Sequence, residues 1–312
     1  MKYIILAGGF ATRLWPLTEK RAKPLLLLAG KTILAHIYDM LPEGADVILL
    51  TNDRFKYDFM NEINHIGHKN TIIFCEDAHS AGEKLGAVKA LSMAINVHQI
   101  NESVCVIAGD NLLTGLSLLD MDCHDNEAKV AVREVDSLDE AKKFGVVQAV
   151  GGQVVEFKEK PENPESKLVS TGFMSFGKDL IPSIHECAVS TPDSLGSIFT
   201  EFLCEGKFVT AVEADGEWFD VGSFETYLEA HKKLQKDDLE GEVECHDNVF
   251  SGKVYVGKGT KINNCQILDS IIYPGVTLSN CHISQSVIDK DCVLEGVDIN
   301  QKLVRAGTNI KG

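Results

Sequence analysis

Residues 3–25 read YIILAGGFATRLWPLTEKRAKPL, and this stretch is the most informative about the fold. The four apolar residues 3–6 predict a buried strand, and the small residues 7–9 follow it at once. Because no bulky Cβ blocks the approach, backbone N–H groups of such a loop can form a nest for phosphate oxygens. Arg13 offers a planar fork for polyphosphate, and Lys23 offers a second cation. The stretch therefore predicts a nucleoside triphosphate site at the end of a first strand.

Two better-known phosphate loops do not fit this stretch. A Walker loop needs G-x-x-x-x-G-K-S/T, and no Gly-Lys pair closes this one. A Rossmann fingerprint needs G-x-G-x-x-G, whereas Gly8 and Gly9 are adjacent. From residue types alone, an ordinary βα turn with a surface Arg and Lys stays open as the alternative.

The run from Gly8 to Thr18, followed by Lys23-Pro24-Leu25, resembles the signature of the sugar-1-phosphate nucleotidyltransferases, which are the nucleotide-sugar pyrophosphorylases. The family loop usually reads G-G-x-G-T-R-L-x-P-L-T, and this chain has Ala11 where the family most often has Gly. The resemblance implies nucleotide-binding roles for Leu6, Ala7, Gly8, Gly9, Ala11, Thr12, Arg13, Glu83 and Gly86.

Size and composition favour a cytoplasmic enzyme. The 312 residues can hold one large domain and a smaller one, and no apolar run approaches the roughly 20 residues that span a bilayer. The N-terminal residues lack the layout of a signal peptide. A net charge of −16 disfavours nucleic acids and anionic membranes as partners. The nine cysteines include no C-x-x-C pair, which argues against a disulfide framework or a zinc site.

The order of apolar runs predicts an α/β fold with a Rossmann-like, mostly parallel sheet. Over about the first 110 residues, continuous apolar strands alternate with amphipathic helices, which is typical of a parallel sheet with helices on both faces. Shorter strands of more antiparallel character follow, with Gly151-Gly152 as a hairpin turn. Ligands of such sheets bind at the carboxyl ends of the strands, where the loop of residues 8–13 and Asp110 are placed.

A polar run over residues 236–242 predicts a linker, and a different pattern begins beyond it. Residues 264–272 align with residues 280–288, sixteen positions later, so that Cys265 and Cys281 should stack in neighbouring coils of a β-solenoid. The pattern resembles the short left-handed parallel β-helix that many nucleotidyltransferases carry. We therefore expect a catalytic domain over residues 1–236 and a β-helix over 243–312.

Two aspartates are candidates for a metal site. Asp110 follows the buried run Val104–Ala108, and Asp220 lies in Trp218-Phe-Asp220-Val-Gly222. A turn or helix-capping role is the alternative for each. The resemblance implies that the two share Mg²⁺, which prefers one or two carboxylates, waters and substrate phosphates.

A sugar-phosphate pocket is implied by further matches to the family. Glu159 would accept hydrogen bonds from sugar hydroxyls and Lys160 would bind the phosphate, although a solvated strand end is a strong alternative. Thr171, in Ser-Thr-Gly, and Gly145, in Phe-Gly-Val, match two other sugar-contacting segments. The segment from Glu83 to Ala87 resembles one beside the nucleotide base, but it has Ala87 where the family often has Thr, which leaves the base open.

Together these features predict transfer of a nucleotide from an NTP to a sugar 1-phosphate, with catalytic roles for Arg13, Lys23, Asp110 and Lys160. A glucose-1-phosphate thymidylyltransferase using dTTP or UTP is favoured, and a mannose-1-phosphate guanylyltransferase is the close alternative. A non-catalytic regulatory relative and an acyltransferase activity in the β-helix are also weighed. We expect a homo-oligomer with β-helix contacts, since every residue assigned to chemistry precedes the linker.

Overall fold

The computed structural model describes residues 1–9, 12–76, 85–190, 194–237 and 239–312. The chain divides into two compact units, which are described separately below. The first unit contains Met1–Gly9 and Ile37–Asp220, and the second contains Phe10–His36 and Val221–Gly312. The helices are α1 (Ile33–Met40), α2 (Lys56–Ile66), α3 (Ala87–Val97), α4 (Leu138–Ala141), α5 (Ile181–Ser190), α6 (Gly196–Cys204) and α7 (Phe224–Leu234), with short 3-10 helices at Thr12–Leu14, Lys23–Leu25 and Lys178–Leu180.

The strands up to residue 220 include most of those predicted from the apolar runs. They are β1 (Lys2–Leu6), β2 (Leu27–Leu28), β3 (Lys31–Thr32), β4 (Val47–Asn52), β5 (Thr71–Glu76), β6 (Val104–Ala108), β7 (Asn111–Leu113), β8 (Glu127–Glu134), β9 (Gly145–Val150), β10 (Gln153–Glu159), β11 (Leu168–Phe176), β12 (Phe208–Glu213) and β13 (Trp218–Asp220).

The first unit is built on a mixed sheet with the strand order β5-β4-β1-β6-β11-β8-β12-β10-β9. Strands β5, β4, β1 and β6 run parallel, which confirms the parallel arrangement predicted for this part of the chain. Strand β11 runs antiparallel to β6 and β8, and β10 runs antiparallel to both β12 and β9. Because β1, β4, β5 and β6 are parallel, their carboxyl ends meet along one edge of the sheet, where ligands of α/β proteins bind.

Apolar residues of the sheet and of three helices form the main core of the first unit. Helix α3 contributes Leu91 and Ala94, helix α5 contributes Ile184, and helix α6 contributes Phe199 and Phe202, all of which are fully buried. The rings of α6 pack on aromatic side chains of the sheet, with the Phe157 and Phe199 centroids 5.3 Å apart and nearly parallel. This core fixes the strand ends that carry the candidate site.

The second unit contains a solenoid of short parallel strands. These strands are β14 (Leu239–His246), β15 (Val249–Ser251), β16 (Val254–Asn263), β17 (Gln266–Leu268), β18 (Ile271–Ile272), β19 (Thr277–Ser279), β20 (His282–Ser284), β21 (Val287–Ile288), β22 (Val293–Glu295), β23 (Asp298–Asn300), β24 (Leu303–Val304) and β25 (Asn309–Lys311).

From Tyr255 onward, each turn of the solenoid repeats the one before it after sixteen residues. Ile271 pairs with Val287, and Gln266 pairs with His282, both in parallel register. The backbone N–H of Cys281 donates to Sγ of Cys265 at 3.4 Å, so the predicted stacking of the two cysteines is confirmed. Buried Val, Ile and Leu side chains fill the interior of the coils.

The polar run predicted as a linker is part of the solenoid over its second half. Helix α7 ends at Leu234, and β14 begins at Leu239 and pairs in parallel with β16. Without that strand one edge of β16 would present unpaired backbone groups. The assignment of catalysis to residues 1–236 and of a separate role to residues 243–312 stays a prediction.

Candidate active site

Three parallel strands of the first unit end beside the glycine loop. The backbone N–H of Ala7 donates to the carbonyl of Leu50 at 2.8 Å, and Nδ2 of Asn52 donates to the carbonyl of Gly8 at 3.2 Å. Glu76, at the end of β5, is buried, and its carboxylate accepts a hydrogen bond from the N–H of Leu85 at 3.2 Å. The loop thus leaves β1 hydrogen-bonded to the end of β4, with the Glu76 carboxylate of β5 close to Gly8.

The two adjacent glycines of this loop have different surroundings. A Cβ on Gly8 would lie 2.8 Å from Oε1 of Glu76, which is closer than carbon and oxygen can approach without movement. Among the described residues, nothing lies within 4 Å of a Cβ on Gly9. Gly8 therefore packs against the Glu76 carboxylate, which an added side chain would displace, whereas Gly9 borders open space of the kind that a ligand's phosphates could occupy.

The described residues account for part of the predicted nucleotide set. Leu6, Ala7, Gly8 and Gly9 lie at the end of β1, and Gly86, with φ of +92°, precedes the first residue of α3. Ala11 and Glu83 lie outside the described residues, and only the backbone of Thr12 is described.

Both candidate metal ligands lie at one edge of the first unit. Strand β13 pairs antiparallel with β7, and this register places Asp220 directly opposite Asn111, the neighbour of Asp110. Residues opposite each other in such a ladder have Cα atoms about 4.5–5.5 Å apart. Nδ2 of Asn111 donates to Oδ1 of Asp110 at 2.9 Å, and Nε1 of Trp218 donates to Oδ1 of Asn111 at 2.9 Å.

The capping role considered for Asp220 belongs to a different residue. Ser223 is the N-cap of α7 and forms a capping box with Thr226. Asp220 instead ends strand β13 and is half-buried. Asp110 comes directly before the strand Asn111–Leu113, so it is not at the start of a helix either. Neither carboxylate is therefore needed as a helix cap, and both can serve a ligand.

Two of the predicted sugar-phosphate residues are direct partners across a hairpin. Gly145 on β9 is opposite Glu159 on β10. A Cβ on Gly145 would lie 2.5 Å from Cζ of Phe157 and 3.1 Å from Oε2 of Glu159. The absence of a side chain at this position thus lets the Glu159 carboxylate and the Phe157 ring lie against the backbone of β9.

Lys160 begins the turn after β10 with an unusual backbone conformation. Its φ is +45°, in the left-handed region, which costs a non-glycine residue about 1 kcal/mol or more. Its N–H donates to the carbonyl of Phe144 at 3.0 Å, which holds the turn against the start of β9. The side chain is about two-thirds exposed, and its Nζ lies 3.9 Å from Oε1 of Glu159. The ammonium is therefore available to an anionic ligand.

Thr171 connects the two parts of this edge through the backbone around it. Its hydroxyl is fully buried and donates to the carbonyl of Ala131 at 2.9 Å. The register between β11 and β8 shifts at this point, and Gly172 takes a φ of +85°. A Cβ on Gly172 would lie 3.0 Å from Cβ of Ala108 and 3.3 Å from the side chain of Asn111. The bulge therefore brings the predicted sugar-contacting segment next to the predicted metal site.

An aromatic pair makes a second connection between the same two regions. The Trp218 and Phe144 rings meet edge to face with centroids 4.7 Å apart. Trp218 binds Asn111, as described above, and the carbonyl of Phe144 binds the N–H of Lys160. Asp110, Asp220, Gly145, Glu159 and Lys160 thus belong to one connected region of the first unit, and the Thr171 side chain is buried behind it.

The remaining predicted catalytic residues belong to the second unit. Arg13 is exposed in the short helix Thr12–Leu14. Lys23 is the first residue of the short helix Lys23–Leu25 and is buried, with 7% of its surface exposed. Both residues are cations of the kind expected at a polyphosphate site.

Sequence reasoning missed four residues that shape this site. Asn52 and Glu76 are polar residues at the carboxyl ends of parallel strands, which is a readable signal for the ligand edge of a sheet. Asn111 and Trp218 were inside or beside the quoted motifs, but their mutual hydrogen bond depends on pairing between strands more than 100 residues apart. No local sequence pattern predicts that pairing.

Within the described residues, no group of three or more His, Cys, Asp or Glu side chains is arranged to hold a metal ion. Two carboxylates at one edge therefore suit a cation that also takes phosphate and water ligands, such as Mg²⁺, better than an all-protein cage. Among the described helices none has both the length and the apolar character needed to cross a membrane.

Comparison with known proteins gives consistent results. The family model described as nucleotidyl transferase matches residues 2–237. UTP–glucose-1-phosphate uridylyltransferase AglF of Haloferax volcanii is 32% identical over 76% of this chain and 98% of its own length. The bifunctional protein GlmU of Methanocaldococcus jannaschii is 31% identical over 83% of this chain, which spans only 61% of that relative.

One solved structure has a similar fold. It is a crystal structure from Bacillus anthracis that carries the provisional name glucose-1-phosphate thymidylyltransferase. The two superpose with a TM-score of 0.66 over 76% of this chain and 96% of the other, at 24% sequence identity. The mixed α/β architecture is therefore shared.

Proposed function

The chain belongs to the nucleotidyl transferase family, and on that premise we propose that it joins an NTP to a sugar 1-phosphate, giving an NDP-sugar and pyrophosphate. One observation carries the proposal. The edge of the first unit that holds Asp110 and Asp220 is continuous with the one that holds Glu159 and Lys160. A nucleotide and a phosphorylated sugar need two such adjoining regions.

The chemistry asks these residues to position and neutralise phosphates. An oxygen of the sugar phosphate attacks the α-phosphorus in line, the new P–O bond forms, and the bond to pyrophosphate breaks. Two anionic phosphates repel each other, and Lys23 and Lys160 reduce that repulsion. Arg13 holds the leaving pyrophosphate, on which negative charge grows, through a bidentate contact. No protein nucleophile is required.

Asp110 and Asp220 hold Mg²⁺ in this proposal. The ion, when bound, supplies charge neutralisation on the triphosphate oxygens. The half-burial of both carboxylates leaves room for phosphate and water ligands. Asn111 orients Asp110 through its amide, and Trp218 orients Asn111.

Glu159 and the backbone of Gly145 bind the sugar. A carboxylate accepts hydrogen bonds from two neighbouring hydroxyl groups, which suits a hexose. Glucose 1-phosphate with UTP or dTTP is the favoured pair, and the AglF relative, named for UTP and glucose 1-phosphate, supports it.

A guanylyltransferase acting on mannose 1-phosphate is the second candidate, and Glu76 is the observation that favours it. This buried carboxylate lies beside Gly8 in the nucleotide loop and can only accept hydrogen bonds when ionised. Guanine presents two adjacent donors, N1–H and N2–H. Uracil and thymine present one donor between two acceptors, which a carboxylate would repel.

The remaining proposals concern the solenoid and the setting of the protein. We take its coils to wind in the left-handed sense and its exposed end strand, β25, to contact another copy in a homo-oligomer. The substrates of the proposed reaction are intracellular metabolites, which supports a cytoplasmic location.

A substrate panel tests the function. UTP, dTTP, GTP and ATP would each be combined with the 1-phosphates of glucose, mannose and N-acetylglucosamine in the presence of Mg²⁺, and NDP-sugar would be measured by mass spectrometry. Turnover with UTP or dTTP and glucose 1-phosphate is expected. Turnover with GTP and mannose 1-phosphate alone would support the second candidate, and no turnover with any pair would contradict both.

A further inference from the structure

The second unit contains both the solenoid and the loop of residues 12–32, which carries Arg13 and Lys23. The contacts between these segments are polar, and most of them are at least partly buried. The sequence, by contrast, predicts that every residue needed for chemistry precedes the solenoid.

The first contact is made by Arg21, just before the Lys23 helix. Its Nη2 donates to Oδ1 of Asp289 in the solenoid at 3.2 Å, and Asp289 is almost fully buried. The guanidinium also lies over the ring of Tyr273, 4.8 Å from the centroid. Burial alone lowers the pKa of Arg21, but Tyr273 and Asp289 more than offset this and raise it. Arg21 therefore stays charged in its buried position.

The second contact closes a ring of hydrogen bonds on the backbone of Leu27, just after the Lys23 helix. The N–H of Leu27 donates to Oη of Tyr273 at 3.0 Å. The hydroxyl of Tyr227, on α7, donates to the carbonyl of Leu27, and the two tyrosine Oη atoms are 3.0 Å apart. The consistent assignment has the Tyr273 hydroxyl donating to Tyr227, so each group is satisfied.

Further contacts extend the attachment in both directions along the loop. The N–H of Ala29 donates to Nδ1 of His231 on α7 at 3.3 Å. At the other end Nε of Arg305, in the solenoid, donates to Oε2 of Glu19 at 2.7 Å. The Arg305 pair is more exposed and contributes less than the buried contacts.

Lys23 lies between the two buried anchors. The short helix Lys23–Leu25 starts just after Arg21 and ends just before Leu27, and Lys23 is itself buried. Three residues of 3-10 helix cannot hold an orientation by themselves, since they contain only one or two hydrogen bonds. The position of the Lys23 backbone, from which the side chain extends, is therefore set by what the two ends of this segment are attached to.

We infer that Tyr273 and Asp289 of the solenoid are positioning residues that place Lys23 for nucleotidyl transfer. The inference rests on the proposed function and changes the role expected of the solenoid. The solenoid then completes the catalytic machinery of its own chain, whether or not it also assembles subunits. A displacement of about 1 Å in a catalytic group costs on the order of 100-fold in rate.

The test compares Tyr273→Phe with Ser286→Ala in the full chain. Tyr273→Phe keeps the ring under Arg21 but removes the acceptor for the Leu27 N–H. Ser286 is a matched control, because its buried hydroxyl accepts from the N–H of Lys302 and donates to the carbonyl of Ser284, both within the solenoid. We expect kcat to fall about 10- to 100-fold in Tyr273→Phe with both KM values within about threefold, and to stay near wild type in Ser286→Ala.

Two further readouts separate positioning from general stability. Hydrogen exchange at the Leu27 amide should be faster in Tyr273→Phe and unchanged in Ser286→Ala. In a Lys23→Ala background, Tyr273→Phe should cause no further loss of kcat, because it acts through Lys23. Asp289→Asn, which removes the charge facing Arg21 but little volume, should give the same pattern if Tyr273→Phe folds poorly.

The outcomes are distinguishable from a failure of the proposed function. An active wild type with an equally active Tyr273→Phe variant would overturn the positioning role alone. A loss of kcat that persists in full on the Lys23→Ala background would overturn it as well. A wild type inactive on every substrate pair would overturn the proposed function and this inference together.

Discussion

Replacing Gly145 by Ala is expected to damage the sugar-phosphate region selectively. The new Cβ would lie 2.5 Å from Cζ and 2.9 Å from Cε1 of Phe157, whereas carbon atoms pack at about 3.5–4.0 Å. The ring must therefore move by about 1 Å. It is buried and stacked on Phe199, so it cannot move into solvent. Overpacking of this kind costs about 1–3 kcal/mol of unfolding free energy.

The displacement reaches the ligand through Glu159. Its Oε2 would lie 3.1 Å from the new Cβ, and it is the direct cross-strand partner of Gly145. We expect the KM for the sugar phosphate to rise about 10-fold or more, because a carboxylate moved by about 1 Å no longer meets both hydroxyls. The KM for the NTP should change less than about twofold, because no predicted nucleotide contact lies on this hairpin.

Steady-state kinetics with each substrate varied and urea unfolding would measure these effects. Val150→Ala, at the exposed end of the same strand, serves as the control and should leave both properties unchanged. Phe157→Leu should restore stability and the KM to Gly145→Ala by making room for the methyl group. A Gly145→Ala enzyme with wild-type stability and kinetics, or equal changes in both KM values, would refute the reasoning.

Five other substitutions, in three groups, test separate parts of the account. Asp110→Asn and Asp220→Asn should each lower turnover by about 100-fold or more across a Mg²⁺ titration, with unfolding free energy nearly unchanged; near-normal turnover at low Mg²⁺ would remove that residue from the metal site. Gly8→Ala should lower stability and NTP binding together, whereas Gly9→Ala should lower NTP binding alone; equal stability losses in calorimetry would contradict the difference in their surroundings. Burial lowers the pKa of His231 to about 4, so the unfolded chain binds this proton first as the pH falls through about 6.5. The unfolding free energy should therefore be highest above that pH and fall by up to about 3 kcal/mol as the pH drops to 4. Urea unfolding of His231→Asn, which keeps a hydrogen-bond acceptor, should show a smaller loss over the same range.

The parallel half of the first sheet could be predicted because its signals are local. Val104–Ala108 matches its apolar run residue for residue, since buried strands of this kind are continuously apolar. The sixteen-residue repeat was equally readable, because each coil places the same residue type above the last. These features depend on neighbours in sequence or on a simple period.

Features that depend on distant pairing were missed. Strand Leu168–Phe176 contains Ser, Thr and Gly, and its central place comes from pairing with β6 and β8, which the sequence pattern does not express. The polar run over residues 236–242 predicts a linker, whereas residues 239–242 belong to β14, whose pairing with β16 the sequence pattern does not express. The attachment of the Lys23 loop to Tyr273 and Asp289 joins residues about 250 positions apart, so no window of sequence could contain it.

The site was predictable where a motif lies at the end of a strand. Asp110 and Asp220 were identified as a pair, and the pairing of β7 with β13 supplies the reason that they belong together. Glu76 ends an apolar run, which is a readable signal, but its closeness to Gly8 depends on the packing of β5 beside the loop and is not expressed in its own segment.

The fate of the phosphates tests the central claim most directly. Purified protein, Mg²⁺ and the sugar 1-phosphate that is active in the panel would be incubated with its NTP, labelled with ³²P at either the α- or the γ-position, and the products would be separated. Nucleotidyl transfer predicts that the α-label appears in the NDP-sugar and the γ-label in pyrophosphate, in equal amounts and only when both substrates are present. A γ-label on the sugar, release of orthophosphate from the NTP, or label release that does not depend on the sugar phosphate would contradict the account.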